Sequence, residues 1–457
     1  MPIHTVFNAL PTMTGNFVVF SEEEDVLSFI TDPVLSSTSK MLQFSTGSLS
    51  VRVARALVTY LRGPACAAGV THLTIEDPEE LLASTTNRSL VVAFAALSTL
   101  THLTLLGVGP LSRMLLSKMR AKLTDVTLEI EPHDDNEEED DDPATCLNPI
   151  SLLRNFQDSL VHLSGQGIQT IWTEEMASTP RYPKLKSVAF TDADIPFTSD
   201  YVRAFPNITA LRLRTSPHEY EELLDCNPAK FEANREANVL LQLQRGLWSQ
   251  TLECCDGTLG TLYVLALQCR VKELRVTCDI DAPKMLGSVL SDTQPTILSL
   301  EQFPLDMLAG RAFAAAMRAP YAAQLRSLEI MLMLDGDSGK KGNAGVAAAL
   351  DSLINALQPL SIERFGLCLG CNFRGVYPYE RGMPASAVSL TRSEEYLRDL
   401  ELNSLAQRIH GSVAALKSVV VMMMGHRTRA AEVVAVGDRT GCQALKMFRV
   451  AALVGRG

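Results

Sequence analysis

The sequence predicts an α/β leucine-rich-repeat solenoid, a horseshoe with parallel strands on its concave face and helices on its convex face. Three observations predict it. The first is a six-residue phrase, clearest as Leu100-Thr101-His102-Leu103-Thr104-Leu105, with leucine at positions one, four and six and polar residues between. The second is its recurrence at 70–75, 123–128, 185–190, 208–213, 271–276, 325–330, 416–421 and 445–450, with looser copies at 295–300 and 362–367. The third is spacing. Close copies lie 23 to 37 residues apart, room for one strand, one turn and one helix.

Positions four and six of the phrase point to one side of a strand and position five to the other, so each copy is a short strand with one buried face. Two gaps near 62 residues each leave room for a degenerate repeat, with 160–163 and the segment around Leu252 as candidates. Residues 1–62 precede the first good copy and are expected to cap the array, with a strand at 17–20 and an amphipathic helix at 51–61. The array proper is expected over 63–457. Helical spacing marks 89–97, 110–119 and 149–163, the last two opening on proline, which suits a first helical turn. Strands alternating with helices imply parallel pairing through right-handed crossovers. The segment 133–143, with its acidic run, is expected to be a disordered loop, because like charges repel and nothing apolar is there to bury. Inserts at 335–345 and 371–391 read as loops. Thr391 and Glu394 have capping-box spacing and predict a helix running to about Ile409, followed by two final repeats.

With 457 residues, 46% of them hydrophobic, the chain can bury a large core. The formal charge is −11, but eight of the 52 acidic residues lie at 134–142, leaving 44 against 41 Lys and Arg. A near-neutral body argues against nucleic acid and anionic membranes as partners. Ten cysteines without regular spacing, several in apolar stretches such as Cys269 and Cys368, read as reduced thiols of a cytoplasmic or nuclear protein. No secretory signal and no apolar run of membrane-spanning length is visible. A monomer is expected.

Motifs for chemistry are sparse. The loop 335–345 carries four glycines and two lysines between a strand and a helix, but no register satisfies the phosphate-binding pattern, and Val346 stands where a calcium loop needs glutamate. Cys368 and Cys371 form a C-x-x-C with no second pair, so they read as structural thiols. His72 and His102 share position three and should be surface neighbours. Asp192 and Asp194 read as a turn. From 403 to 457 eight basic residues face two acids, but Phe448 is the lone aromatic, which suits a solvated rim better than a nucleic-acid surface. No cofactor or metal site is read from the sequence.

The segment 247–276 and the long irregular repeats with inserts such as 134–142 resemble the repeat portion of the F-box-type leucine-rich-repeat proteins of mushroom-forming fungi. The resemblance covers roughly residues 15–457. It implies repeats that present substrate to a cullin ubiquitin ligase, and an N-terminal F-box that binds the adaptor Skp1. Leu10-Pro11 is followed here by Thr-Met-Thr-Gly-Asn and a strand-like run, not by F-box helices, so this chain alone is not expected to bind Skp1. The asparagine that follows the leucines in other leucine-rich repeats is replaced by Val108 in the clearest copy.

The leading expectation is a non-enzymatic protein-binding scaffold, the substrate-recognition part of such a ligase system. The alternatives are a divergent nucleotide-binding or hydrolytic enzyme using 335–345, and a degraded paralogue. The partner is expected on the concave strand face, where positions three and five form ladders. These residues are His72, Thr74, His102, Thr104, Asp125 and Thr127 early in the chain, and Arg212, Glu273, Arg275, Glu329, Arg364 and Arg449 later. Arg212 and Arg275 are the expected centre, since arginine can clasp a carboxylate with two bonds. Pairing of these arginines with Glu273 and Glu329, merely keeping the surface soluble, is the alternative.

Overall fold

The computed structural model describes residues 17–32, 39–63, 69–85, 87–130, 148–167, 180–193, 197–215, 228–248, 251–278, 283–334, 345–371, 390, 392–438 and 440. The chain forms two compact units, Met1–Ala193 and Asp194–Gly457.

In the N-terminal unit the strands are β1 (Phe17–Phe20), β2 (Met41–Phe44), β3 (His72–Ile75), β4 (His102–Leu106), β5 (Asp125–Glu129), β6 (His162–Gln166) and β7 (Ser187–Ala193). Each pairs in parallel with the next. Between them run α1 (Glu23–Thr31), α2 (Val51–Leu61), α3 (Pro78–Ala83), α4 (Ser89–Ala95), α5 (Pro110–Lys118) and α6 (Pro149–Leu152). Positions four and six supply the core: Leu73, Ile75, Leu103, Leu105, Val126 and Leu128 are all buried. The helices bury their facing stripes, such as Val53, Leu57 and Leu61 on α2 and Leu115 and Leu116 on α5.

The expected strand at 17–20 and helix at 51–61 are present. The region expected to cap the array also holds β2, whose Leu42 and Phe44 alternate inward and pair in register with Leu73 and Ile75. The parallel pattern therefore begins before the first recognisable phrase. The helix expected over 149–163 stops at Leu152, followed by a 3₁₀ turn at Arg154–Phe156. The strand reading of 160–163 prevails there, because β6 completes pairs with both β5 and β7. Position six of that copy is Gly165, which explains why the phrase is hard to see.

A single backbone device starts most strands. The N–H groups of positions two and three both donate to the position-two carbonyl of the preceding repeat. Thr101 and His102 donate to Thr71 O at 2.9 and 3.0 Å, and Thr124 and Asp125 to Thr101 O at 2.8 and 3.1 Å. The same fork recurs at Val161 and His162, Arg326 and Ser327, and Lys417 and Ser418. Threonine at position two adds its hydroxyl to the same carbonyl, as at Thr101 (3.1 Å) and Thr124 (3.2 Å). Repeats also cap one another. The Glu79 carboxylate accepts from the N–H groups of Gly109, Leu111 and Ser112 at 2.8–3.1 Å and from the Ser112 hydroxyl at 2.7 Å, closing the open donors of α5.

The C-terminal unit holds β8 (Ala210–Thr215), β9 (Leu252–Thr258), β10 (Val271–Thr277), β11 (Ile297–Phe303), β12 (Ser327–Leu334), β13 (Arg364–Cys371), β14 (Ser418–Met424) and β15 (Glu432–Gly437). Its helices are α7 (Thr198–Ala204), α8 (Pro228–Arg245), α9 (Leu259–Leu265), α10 (Pro283–Thr293), α11 (Leu305–Ala309), α12 (Arg311–Arg318), α13 (Val346–Leu357), α14 (Arg392–Asp399) and α15 (Leu402–Ser412). Strands β8 to β14 pair in parallel with their sequence neighbours. Strand β9 is the degenerate repeat expected near Leu252, and its position six is Gly257. A Cβ there would lie 2.6 Å from the Leu213 carbonyl oxygen of β8, with Leu262 of α9 at 3.1 Å, so the close approach of the neighbouring strand's backbone excludes leucine. Strand β15 was not visible in the sequence and pairs antiparallel with β14.

The helix expected from 391 to about 409 divides into α14 and α15. Arg429 holds the break, donating to the carbonyls of Leu397 at 2.8 Å and Leu400 at 2.5 Å. Arg427 clasps Glu394 of α14 with two bonds, 2.6 and 2.8 Å, and that carboxylate is fully buried. The acidic run, the 335–344 loop, most of the 371–391 insert and the 445–450 copy with Arg449 lie outside the described residues.

Candidate functional site

Opposite the leucines, each unit presents an outward strand face. In the N-terminal unit one register row runs Met41, His72, His102, Asp125, His162 and Ser187. The next row runs Gln43, Thr74, Thr104, Thr127, Ser164 and Ala189. The expected early ladder is thus in register. Parallel pairing without slip puts equal positions of successive phrases side by side.

His72 and His102 are neighbours as expected. Their rings stack with centroids 3.9 Å apart and planes 12° from parallel. His102 Nε2 lies 3.2 Å from Asp125 Oδ2, and Thr124 donates to the same oxygen at 2.6 Å. Thr71 and Thr101 hydroxyls meet the Nδ1 atoms of His72 and His102, each at 2.9 Å. Partial burial, and then the His102 ring beside it, holds the His72 imidazole below its ordinary value, while Asp125 opposes the shift. No group of three His, Cys, Asp or Glu among the described residues is placed to hold a metal ion.

In the C-terminal unit a row runs Arg212, Asp256, Arg275, Ser299, Glu329 and Gly366. Arg212 Nε donates to Asp256 Oδ2 at 2.9 Å, and Arg214 Nη2 to Asp256 Oδ1 at 3.0 Å. The Asp256 side chain is only 4% exposed. Arg214 also lies 3.7 Å from Glu301. Arg275 Nε donates to Glu273 Oε1 on its own strand at 2.8 Å. Arg364 stands one row over, between Ser327 and Ser418, and Glu329 is buried.

The sequence located Arg212, Arg275 and Glu273 on one face but missed Asp256 and Arg214. Asp256 sits at position five of the degenerate β9 phrase, so its place in the ladder shows only when Leu252 is taken as position one. Arg214 lies one residue beyond the phrase, where β8 continues to Thr215.

Behind this face a polar network positions β9 and α9. Asn238 of α8 accepts from the Thr198 N–H at 2.8 Å and donates to Val264 O at 2.9 Å. Gln242, one turn on, donates to Leu265 O and Ala266 O at 3.2 and 2.9 Å. These two amides satisfy open carbonyls at the end of α9, where Ala266 is left-handed at φ 48°. The Trp248 indole donates to Phe205 O at 2.9 Å. Burial keeps the thiol of Cys255 well above its ordinary value and pushes that of Cys269 up to about 12.

No protein-family model and no curated protein matches the chain. No helix among the described residues is long and apolar enough to cross a membrane.

Proposed function

We propose that the chain is a non-enzymatic protein-binding scaffold, a leucine-rich-repeat horseshoe whose concave face is the outward strand face described above. We place it in the substrate-recognition role of an F-box/cullin ubiquitin ligase system, following the resemblance of its repeats. The observation that carries the reading is the in-register row of Arg212, Asp256, Arg275 and Glu329. It places guanidinium groups on a rigid strand scaffold, Arg212 held by the nearly buried Asp256 and Arg275 by Glu273 of its own strand. Side chains already ordered lose little freedom when a partner docks. Arg275 and Arg364 are its contact residues for acidic groups on the partner, and Arg212 positions the row through Asp256.

The test follows from this division. Once a partner is captured, Arg275→Ala with Arg364→Ala should weaken binding roughly tenfold or more, as loss of a buried charge contact does. Full-strength binding by that folded variant would remove the face from consideration. Reversing Arg212 is the wrong probe, because a glutamate there would face the nearly buried Asp256 and disturb the fold itself. A thermal shift with ATP or GTP that vanishes when Lys340 and Lys341 become alanine would instead support the enzyme alternative.

A further inference from the structure

On β12, β13 and β14 the outward face changes character. Met331, Cys368 and Met422 occupy one register row. Met424 stands one pleat further along β14, and the four side chains pack together, with Cys368 and Met422 buried. Gly366 and Gly370 flank Cys368 on the same face of β13, so no side chain of its own strand rises beside the thiol. One pleat earlier, in the row that continues to Glu329 and Gly366, β8 to β11 carry Arg212, Asp256, Arg275 and Ser299.

We propose that Met331, Cys368, Met422 and Met424 form a binding site for a soft monovalent metal ion, copper(I). Among the described residues the cluster brings together one thiol and three thioethers. Soft sulfur donors favour copper(I) and zinc over magnesium and calcium, and a shell made mostly of neutral thioethers suits the softer, monovalent copper(I). Charge points the same way. Binding exchanges the Cys368 S–H bond for an S–Cu bond and releases the proton to solvent, with no change of oxidation state. A thiolate and a monovalent ion then sum to zero, and the thioethers add nothing. A divalent ion would leave a net positive charge in an apolar site, at a large desolvation cost. The nearest carboxylate in the register, Glu329, stands opposite Gly366, one pleat before Met331, and has a partner of its own.

Reach is adequate. Adjacent strands lie about 4.8 Å apart, and the rotatable bonds of methionine let its sulfur close on a neighbour without backbone movement. Packing alone asks for something different. Leucine or isoleucine would fill similar volume with stiffer side chains, and isoleucine suits a strand better.

The experiment uses the full chain, reduced and free of oxygen, titrated with copper(I) held by a chromogenic chelator. The expected result is one equivalent withdrawn from the chelator into a sulfur-only shell by X-ray absorption, not displaced by zinc. Cys368→Ser should abolish the transfer. Met331→Leu with Met422→Leu keeps all ten cysteines and nearly the same volume, and should weaken binding roughly tenfold or more. That double variant decides the matter even if Cys368→Ser does not fold. No transfer to the wild-type chain, or transfer at unchanged affinity to the folded double variant, overturns the proposal. The second outcome would put the ion on other thiols, such as Cys254 and Cys255.

Discussion

At the scale of single residues, the Arg427–Glu394 pair is a buried, two-bond ion pair of the C-terminal unit. The carboxylate is fully buried and the guanidinium 10% exposed. Arg427→Ala would strand a buried negative charge and should cost about 3–5 kcal/mol in a denaturant titration. Replacing Glu79 by Ala removes the acceptor for three N–H groups at the start of α5, one of them on Ser112, whose hydroxyl also donates to it, and should cost about 2 kcal/mol. His72 carries a pH signature. Its folded-state value lies below the ordinary 6.5, so the unfolded chain takes up the proton more readily. Above that value both states are neutral and the shift contributes nothing. As pH falls through it, stability is lost. His72→Gln should therefore melt closer to its neutral-pH temperature at pH 5 than the wild type does. An equal loss in both proteins would show that the stacked pair with His102, and the Asp125 charge facing it, do not set this response.

At the scale of elements, most strands depend on the repeat before them for their entry fork, and on the repeat after them for a second paired edge. Leu105→Ala on β4 removes a fully buried side chain and should cost about 2–5 kcal/mol. Hydrogen exchange should then show lost protection on β3 and β5 first, fading toward β1. Uniform loss across the unit would mean that it unfolds as one block. The break between α14 and α15 has a similar local cause. Arg429 satisfies carbonyls that a continuous helix would have used internally, so Arg429→Ala should fray the end of α14 without disturbing β10 or β11.

At the scale of the whole molecule, each unit is a sequence-ordered stack in which every strand pairs with its chain neighbours. That arrangement tolerates insertion between repeats, because an added loop disturbs no long-range pairing. Deleting 134–142 should therefore shift the melting temperature by only a few degrees, as surface changes away from packed features usually cost within about 0.5 kcal/mol. A collapse of folding would show that the acidic run is held by basic side chains.

The sequence by itself determined the strands of the repeated phrase, their inward residues and the register of the early ladder, because period-two burial and a fixed phrase leave one consistent pairing; β2 and β15, which lack the phrase, it did not. Both degenerate repeats, β6 and β9, were located by spacing alone. What only the tertiary structure decided depends on contacts between distant positions. A glycine stands at position six of β9 because the Leu213 carbonyl of β8 comes too close for a side chain, and Asp256 is in the ladder because β9 pairs with both β8 and β10. Arg429 ends α14 from 29 to 32 residues away in the chain. Met331, Cys368, Met422 and Met424 meet because three strands from separate repeats stand side by side. Local pattern records which way a side chain points, but its neighbours are set by pairing between repeats, and no single repeat encodes that.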